Sequence, residues 1–192
     1  MKKYIVYDFD NTIYNGDSSI DFFLFCCRRH PSCLKILPGF LISALRYRCG
    51  QKTKEEMKSS YFRFLSYIPH LENELETFWE IHICRIKSFY RNKNHEQDII
   101  ISASPEFLLK PICKLLGVPV LIASEVDCKT GEFLGKNCYG EEKWNRLCQM
   151  FGESVEIEQF YSDSDEDLPL ARRAKKAWKV HKSDITEWHS IS

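Results

Sequence analysis

At 192 residues the chain has room for one core domain with a sizeable insertion, and 44% hydrophobic with 28% charged residues excludes the disordered and fibrous classes. Lys plus Arg and Asp plus Glu both number 27, so no excess of positive charge calls for nucleic acid as a partner. The nine cysteines contain no CxxC pair, and the apolar run after Met1-Lys2-Lys3 is too short for a signal peptide, which predicts a cytoplasmic protein whose reduced thiols serve mostly as small buried hydrophobes.

Residues 3–9 form a β-branched and aromatic run ending at Asp8 and Asp10, as a buried parallel strand should. Residues 17–93 then read as helical throughout. Within them Thr53 and Glu56 form a capping box for a helix with Met57, Tyr61, Phe64 and Leu65 inside. Leu71, Leu75, Phe78, Trp79, Ile83, Ile86 and Tyr90 follow as one amphipathic stripe. Strand-like runs return at 98–102, 118–124, 155–162 and 177–180, separated by helical stretches at 105–116, 141–150 and 168–175 and by a hairpin signal, Lys129-Thr130-Gly131, within 127–140. This alternation predicts an α/β fold, a Rossmann-like doubly wound parallel sheet. The core comprises 1–16 and 94–192, with a helical cap, 17–93, inserted after the first strand. Ligands of such sheets bind beyond the carboxyl ends of the strands, where the polar clusters fall.

Asp8-Phe9-Asp10-Asn11-Thr12 places two carboxylates on one face of a strand end, since residues two apart share a face. Clustered anions repel unless a cation lies between them, which Mg²⁺ held by Asp8, Asp10 and the later Asp163 resolves. Asp8 is then placed to attack a phosphoryl group, while Asp10 protonates the leaving oxygen and later deprotonates water. Alone, the pair reads more readily as turn or capping residues. Three further elements in matching positions favour the catalytic reading. Ser102 ends an apolar strand before a helix opened by Pro105, where its hydroxyl and the backbone N–H groups, with Ala103 and Asn11 alongside, make an anion pocket; Ser104 is expected to cap that helix. Lys143 lies early in a helix, where the dipole slightly disfavours a cation, and is either solvated or engaged in holding the attacking carboxylate and phosphate together. The acidic run 163–167 exceeds what capping requires, so Asp163 is the metal ligand and Asp167 supports the metal shell or orients Lys143.

With these residues the chain resembles the haloacid dehalogenase-like hydrolase superfamily, whose four motifs match Asp8/Asp10/Thr12, Ser102, Lys143 and Asp163/Asp167 in order across essentially the whole chain. The resemblance implies a phosphomonoester hydrolase with an aspartyl-phosphate intermediate, its Mg²⁺ bound by the first carboxylate, the backbone carbonyl at Asp10 and Asp163. The helical insertion and Ser102-Ala103-Ser104-Pro105-Glu106-Phe107 resemble the phosphoserine-phosphatase-like IB subfamily. The patterns at 161–170 and 140–143, with the arginine-containing apolar start of the insertion, are similar to bacterial phosphatidylglycerophosphatase C-like proteins. Ser162 departs from the superfamily pattern, standing where many relatives place Gly.

Residues 20–49 mix apolar runs with Arg28, Arg29, Lys35, Arg46 and Arg48, and none reaches the roughly 20 residues of a membrane span. They form either a compact helical cap with Phe and Leu packed inside, or a peripheral contact with the inner membrane surface, its apolar side inserted and its cations on anionic headgroups. The second reading suits a lipid phosphate such as phosphatidylglycerophosphate. Asp17 is either an N-cap or, as the resemblance implies, the acceptor of a substrate ammonium, with Arg46, Arg48 or Arg63 available for a carboxylate. The alternatives to a lipid phosphatase are therefore a phosphatase of small phosphoserine-like amino-phosphates, or a phosphotransferase passing the same intermediate to an alcohol.

Overall fold

The computed structural model describes residues 3–188. Six strands, Tyr4–Tyr7 (β1), Asp98–Pro105 (β2), Val120–Ser124 (β3), Ile157–Ser162 (β4), Ala174–His181 (β5) and Asp184–Glu187 (β6), form one sheet in the order β3-β2-β1-β4-β5-β6. All neighbours run parallel except β5 and β6. The chain winds outward through β2 and β3 on one side and through β4 and β5 on the other, so the order reverses between β1 and β4. That switch point is where doubly wound sheets open a crevice beyond their carboxyl ends. The α/β expectation holds, with an antiparallel edge strand added.

Alternate residues of β1 feed two cores because successive side chains point to opposite faces. Val6 packs with Ile99, Ile101, Leu147 of α7 (Glu141–Phe151) and Leu170 of α8 (Leu168–Ala171). Tyr7 packs with Ile100 and with Leu108, Leu109 and Ile112 of α6 (Glu106–Leu116). Between β1 and β2 lie α1 (Ser18–Arg29), α2 (Leu37–Arg48), α3 (Lys54–Phe62), α4 (Leu71–His82) and α5 (Ser88–Arg91). Their Phe22, Phe78 and Trp79, with Phe64 of the 3-10 turn Arg63–Tyr67, join the same apolar cluster as Tyr7, so the insertion is seated directly on one sheet face. There the Trp79 indole N–H donates to the Leu108 carbonyl at 2.7 Å, which buries a large ring without orphaning its donor.

Local signals explain most boundaries. Asp17 Oδ1 accepts from the Ile20 N–H at 2.9 Å and opens α1. The capping box at α3 is complete, with Thr53 Oγ1 accepting from Glu56 N at 3.1 Å and Glu56 Oε2 from Thr53 N at 2.7 Å. Gly117, at φ 73°, ends α6.

Three expectations need correction. The stripe over 71–90 is not one helix: Ile83–Arg85 tightens into a 3-10 turn, and Ile86 forms an antiparallel bridge with Tyr14. The Lys87 N–H donates to the Ile13 carbonyl at 2.8 Å and the Asn15 N–H to the Arg85 carbonyl at 2.9 Å, and such pairing needs extended backbone. The helix expected over 168–175 stops at Ala171 because its continuation belongs to β5. Ser104 does not cap α6. β2 extends through Pro105, which occupies the cap position, and the Ser104 hydroxyl turns elsewhere. Among the cysteines Cys26, Cys33, Cys113 and Cys138 are buried, whereas Cys49, Cys84 and Cys128 are exposed; all nine are free thiols.

The turn at 127–134 folds against α3. Asp127 Oδ1 accepts from the backbone N–H groups of Lys129 and Thr130, Val126 bridges Phe133, and the Phe133 N–H donates to Ser59 Oγ at 3.1 Å. Gly131 has φ 77°, and a Cβ there would lie 2.3 Å from the Phe62 carbonyl carbon. Gly131→Ala is therefore expected to destabilise the protein by about 1–3 kcal/mol, through a left-handed backbone and a clash with main chain that cannot rotate away. A urea melt checks it; an unchanged midpoint would mean that the turn lifts off α3 freely.

Candidate active site

Most predicted site residues sit where a strand ends, while Lys143 reaches them from the first turn of α7 and Asp17 from the N-cap of α1. Asp8 follows β1, and its N–H donates to the Tyr161 carbonyl of β4 at 2.9 Å, which sets the loop after β1 at the switch point. Asn11 adopts φ 55°, a left-handed conformation Asn tolerates, and closes the loop by donating its N–H to the Gly16 carbonyl at 2.9 Å. A cavity of about 600 Å³ opens beyond these ends. Asp8, Asp10, Asn11, Asp17, Ser102, Ala103, Lys143, Asp163 and Asp167 all line it, and Thr12 is buried among them.

Lys143 is 2% exposed, and its ammonium donates to Asp8 Oδ1 and Asp167 Oδ2, each at 2.7 Å. Burial opposes its charge, but the two carboxylates outweigh that and hold its pKa above the ordinary lysine range. Lys143 is therefore not a solvated surface lysine but a buried cation paired with Asp8 and Asp167. Asp167 orients Lys143, and the Ser162 hydroxyl donates to the same Asp167 oxygen at 2.7 Å. The serine that departs from the superfamily pattern thus fastens the far end of the ion pair.

Asp10 is held differently. Its Oδ1 accepts from the Ser18 N–H at 2.6 Å and its Oδ2 from the Ser104 hydroxyl at 2.5 Å. Burial, and next the charge of Asp17, push its pKa up to about 6, with these hydrogen bonds pulling the other way. Burial also raises the Asp8 pKa, against the pull of Lys143. The sign for stability follows from Asp10 favouring its neutral form in the fold. Its contribution is full below the unfolded carboxyl value near 4 and is lost as pH rises through about 6. In chelator-treated protein Asp10→Asn, which cannot ionise, is expected to melt above wild type at pH 7–8 by about 1–3 kcal/mol, with the gap closing at pH 4. Parallel thermal melts across that range measure it, and a gap independent of pH would refute it.

Asp163 completes the acidic side. Thr12 Oγ1 accepts from the Asp163 N–H at 3.0 Å and lies 3.2 Å from Asp8 Oδ2 and 3.4 Å from Asp163 Oδ1. One hydroxyl proton cannot serve both carboxylates at once. Among the described residues no Lys or Arg reaches the Asp163 carboxylate, and no three acidic or His/Cys side chains are grouped as metal ligands, because the Asp10 carboxylate is turned toward the two serines. Asp8 Oδ2, the oxygen that Lys143 leaves free, and the Asp163 carboxylate, joined through one hydroxyl, suit a hard divalent cation.

Ser102 Oγ accepts from the Ser104 N–H at 3.1 Å, and among the described residues no acceptor takes its own proton. Asp17 spends one oxygen capping α1 and also lines the cavity. Sequence reasoning missed Ser104 and Lys58. Ser104 was findable, lying two residues past Ser102 on one extended run, where side chains share a face. Lys58 of α3 donates to the Ala103 carbonyl at 3.2 Å and to Asn137 Oδ1 at 3.0 Å; burial, then Lys54, push its pKa down to about 8. Nothing local marks it, because only the docking of α3 brings it to the strand ends.

The haloacid dehalogenase-like hydrolase family model matches residues 5–172. The chain belongs to that family. A histidinol-phosphatase of Neisseria meningitidis serogroup C (strain 8013) is 26% identical over 90% of this chain and 87% of its own length. Among solved structures, a Bordetella pertussis Tohama I protein of unknown function superposes with TM-score 0.72 at 22% identity, covering 92% of this chain and 89% of that one. A phosphoserine phosphatase captured with a phospho-aspartyl intermediate analogue gives TM-score 0.54 at 18% identity, covering 92% and 85%. These two likenesses are of fold. As a haloacid dehalogenase-like hydrolase, the chain carries its charged residues at the carboxyl ends of the sheet the family shares.

Proposed function

We propose that this hydrolase is a Mg²⁺-dependent phosphatase of phosphate monoesters, acting through an aspartyl-phosphate on Asp8. The supporting observation is the division of labour between two carboxylates two residues apart. Asp8 is ion-paired to buried Lys143, and Asp10, held in place by Ser104 and Ser18, is kept protonatable by its burial and by the charge of Asp17. Asp8 attacks phosphorus, the bond to the ester oxygen breaks, and Asp10 gives that oxygen its proton; Asp10 then takes a proton from the water that attacks the acyl phosphate. Lys143 holds the attacking carboxylate in place, while Ser102, the Ala103 backbone and Lys58 receive phosphoryl oxygens. Mg²⁺, held by the carboxylates of Asp8 and Asp163 with the Asp10 main-chain carbonyl, would neutralise charge on the transferred group. Residues 17–93 act as a cap over the core of 1–16 and 94–192, excluding water from the site.

The cavity walls select the leaving group. Phe23, Leu24, Leu37, Phe40, Tyr61 and Phe62 make them apolar, with the Asp17 carboxylate at their edge. An alcohol with an apolar or aromatic body and an amine, as in histidinol phosphate, satisfies both features. A lipid phosphate such as phosphatidylglycerophosphate satisfies only the first, and phosphoserine only the second. Phosphate release from all three, with Mg²⁺ and with a chelator, tests the proposal. The expected result is Mg²⁺-dependent release, with histidinol phosphate at least about tenfold ahead of phosphoserine in kcat/KM, from the apolar contacts. Asp17→Asn removes a charge that also acts on Asp10, so all three substrates should be affected, but the amine-bearing ones should lose about tenfold more than the lipid. No Mg²⁺-dependent release from any of the three would overturn the proposal.

A further inference from the structure

α2 carries apolar residues on both sides. Its inner side, Leu37, Phe40 and Ala44 with buried Ser43, rests on the protein. Its outer side repeats the helical spacing a second time with Pro38, Leu41, Ile42 and Leu45, and the last three are 59%, 55% and 63% exposed. A stripe of this kind is not a core face, because among the described residues nothing covers it.

The charges around the stripe have one sign. From position 22 to 54 the chain holds seven Lys or Arg and no Asp or Glu, although its total charge is zero. Arg28, Lys35, Arg46 and Arg48 are exposed, and among the described residues none has a carboxylate within ion-pair distance. The stripe also adjoins the cavity. Leu37 and Phe40 on the other side of α2, and Ile20 and Leu24, themselves 51% and 48% exposed on α1, line its wall.

From this placement we infer that the outer face of α2 docks on an anionic lipid surface, with Leu41, Ile42 and Leu45 inserted among the headgroups and the neighbouring cations on the phosphates. No helix among the described residues is long and apolar enough to cross a membrane, so the contact lies in the plane of the surface. The stripe is the ridge of a single helix and suits a flat, deformable partner better than a segment that needs a groove. A second copy of the chain is disfavoured, because a two-fold contact through this face would set the same acid-free cationic segment against itself. Docked in this way, the cavity wall adjoins the lipid–water boundary. This inference is independent of the phosphatase reading, and its test does not use turnover as the readout of binding.

The experiment is flotation of the full chain with vesicles of two parts phosphatidylcholine to one part phosphatidylglycerol, beside pure phosphatidylcholine, at low and high salt. Wild type should float with the anionic vesicles, at least about tenfold more weakly with the neutral ones, and less as salt rises. Leu41→Glu/Leu45→Glu should lose about tenfold or more in partitioning, with an unchanged thermal midpoint and unchanged release from a soluble phosphate ester. Arg46→Glu/Arg48→Glu should lose the preference for anionic over neutral vesicles. Absence of binding to the anionic vesicles would overturn the inference, as would binding that the Leu41/Leu45 variant retains. So would a dimer by sedimentation equilibrium that this variant dissociates, since the stripe would then be a self-association face.

Discussion

Lys143→Met is expected to cost about 3–5 kcal/mol of stability, the largest loss for any single change at the site. The ammonium is the one buried cation between Asp8 and Asp167, at 2.7 Å from each, and methionine fills most of its volume without its charge. Two carboxylates would then share a low-dielectric space with no counter-ion, so the penalty comes from what is left behind more than from the pair that is lost. That account fixes a pH dependence. Protonating the orphaned carboxylates relieves the penalty, so the gap to wild type in urea melts should be widest near neutrality and shrink toward pH 4. A pH-independent gap would point to packing alone. Mg²⁺ should recover part of the stability and none of the turnover, because the attacking oxygen would lack its guide.

Asp8→Asn should remove activity by on the order of 10⁴-fold or more while leaving the protein folded, since an amide cannot form the acyl phosphate. Burial raises the Asp8 pKa in the metal-free fold, so loss of that charge should leave stability unchanged or slightly higher, the reverse of Lys143→Met. Lys143 keeps Asp167 as its partner in this variant. Phosphate release and a thermal melt on one preparation check both halves. Activity above about one hundredth of wild type would mean that another group attacks phosphorus.

Much of this was readable from the residues. β1 to β4 announced themselves because a strand buried on both faces is a short apolar run, and each runs out into polar residues where the sheet ends. Sequence reasoning also had Asp8, Asp10, Ser102, Lys143, Asp163 and Asp167 as one group, and they line one cavity. What was not readable has a common cause in long-range pairing. Ile83–Arg85 fits the helical stripe by its side chains, but the backbone that follows it is claimed by Ile13 and Tyr14 of the loop after β1. β6 pairs with β5 alone and reads Asp184-Ile185-Thr186-Glu187, too short and polar to mark a strand. Lys175 and Lys176, exposed on β5, look as much like a helix surface as like an edge of a sheet. Ser104 was assigned to a helix end because Ser-Pro-Glu is a good start; the competing acceptor, Asp10, lies 94 positions away.

The central position of β1 also bears on how the molecule is made. Its neighbours are Asp98 to Ile100 on one side and Ile157 to Tyr161 on the other, so β1 is made long before β4, and both its edges are paired only once β4 has followed. Closing loops of that length is slow, and an unpaired central strand is sticky in the meantime. A nascent chain therefore carries Asp8 without a counter-ion until Lys143 has been made, and without the second partner of that lysine until Asp167 has followed. A chain that stops short of Asp167 would carry the Asp8 motif without the complete ion pair that holds it.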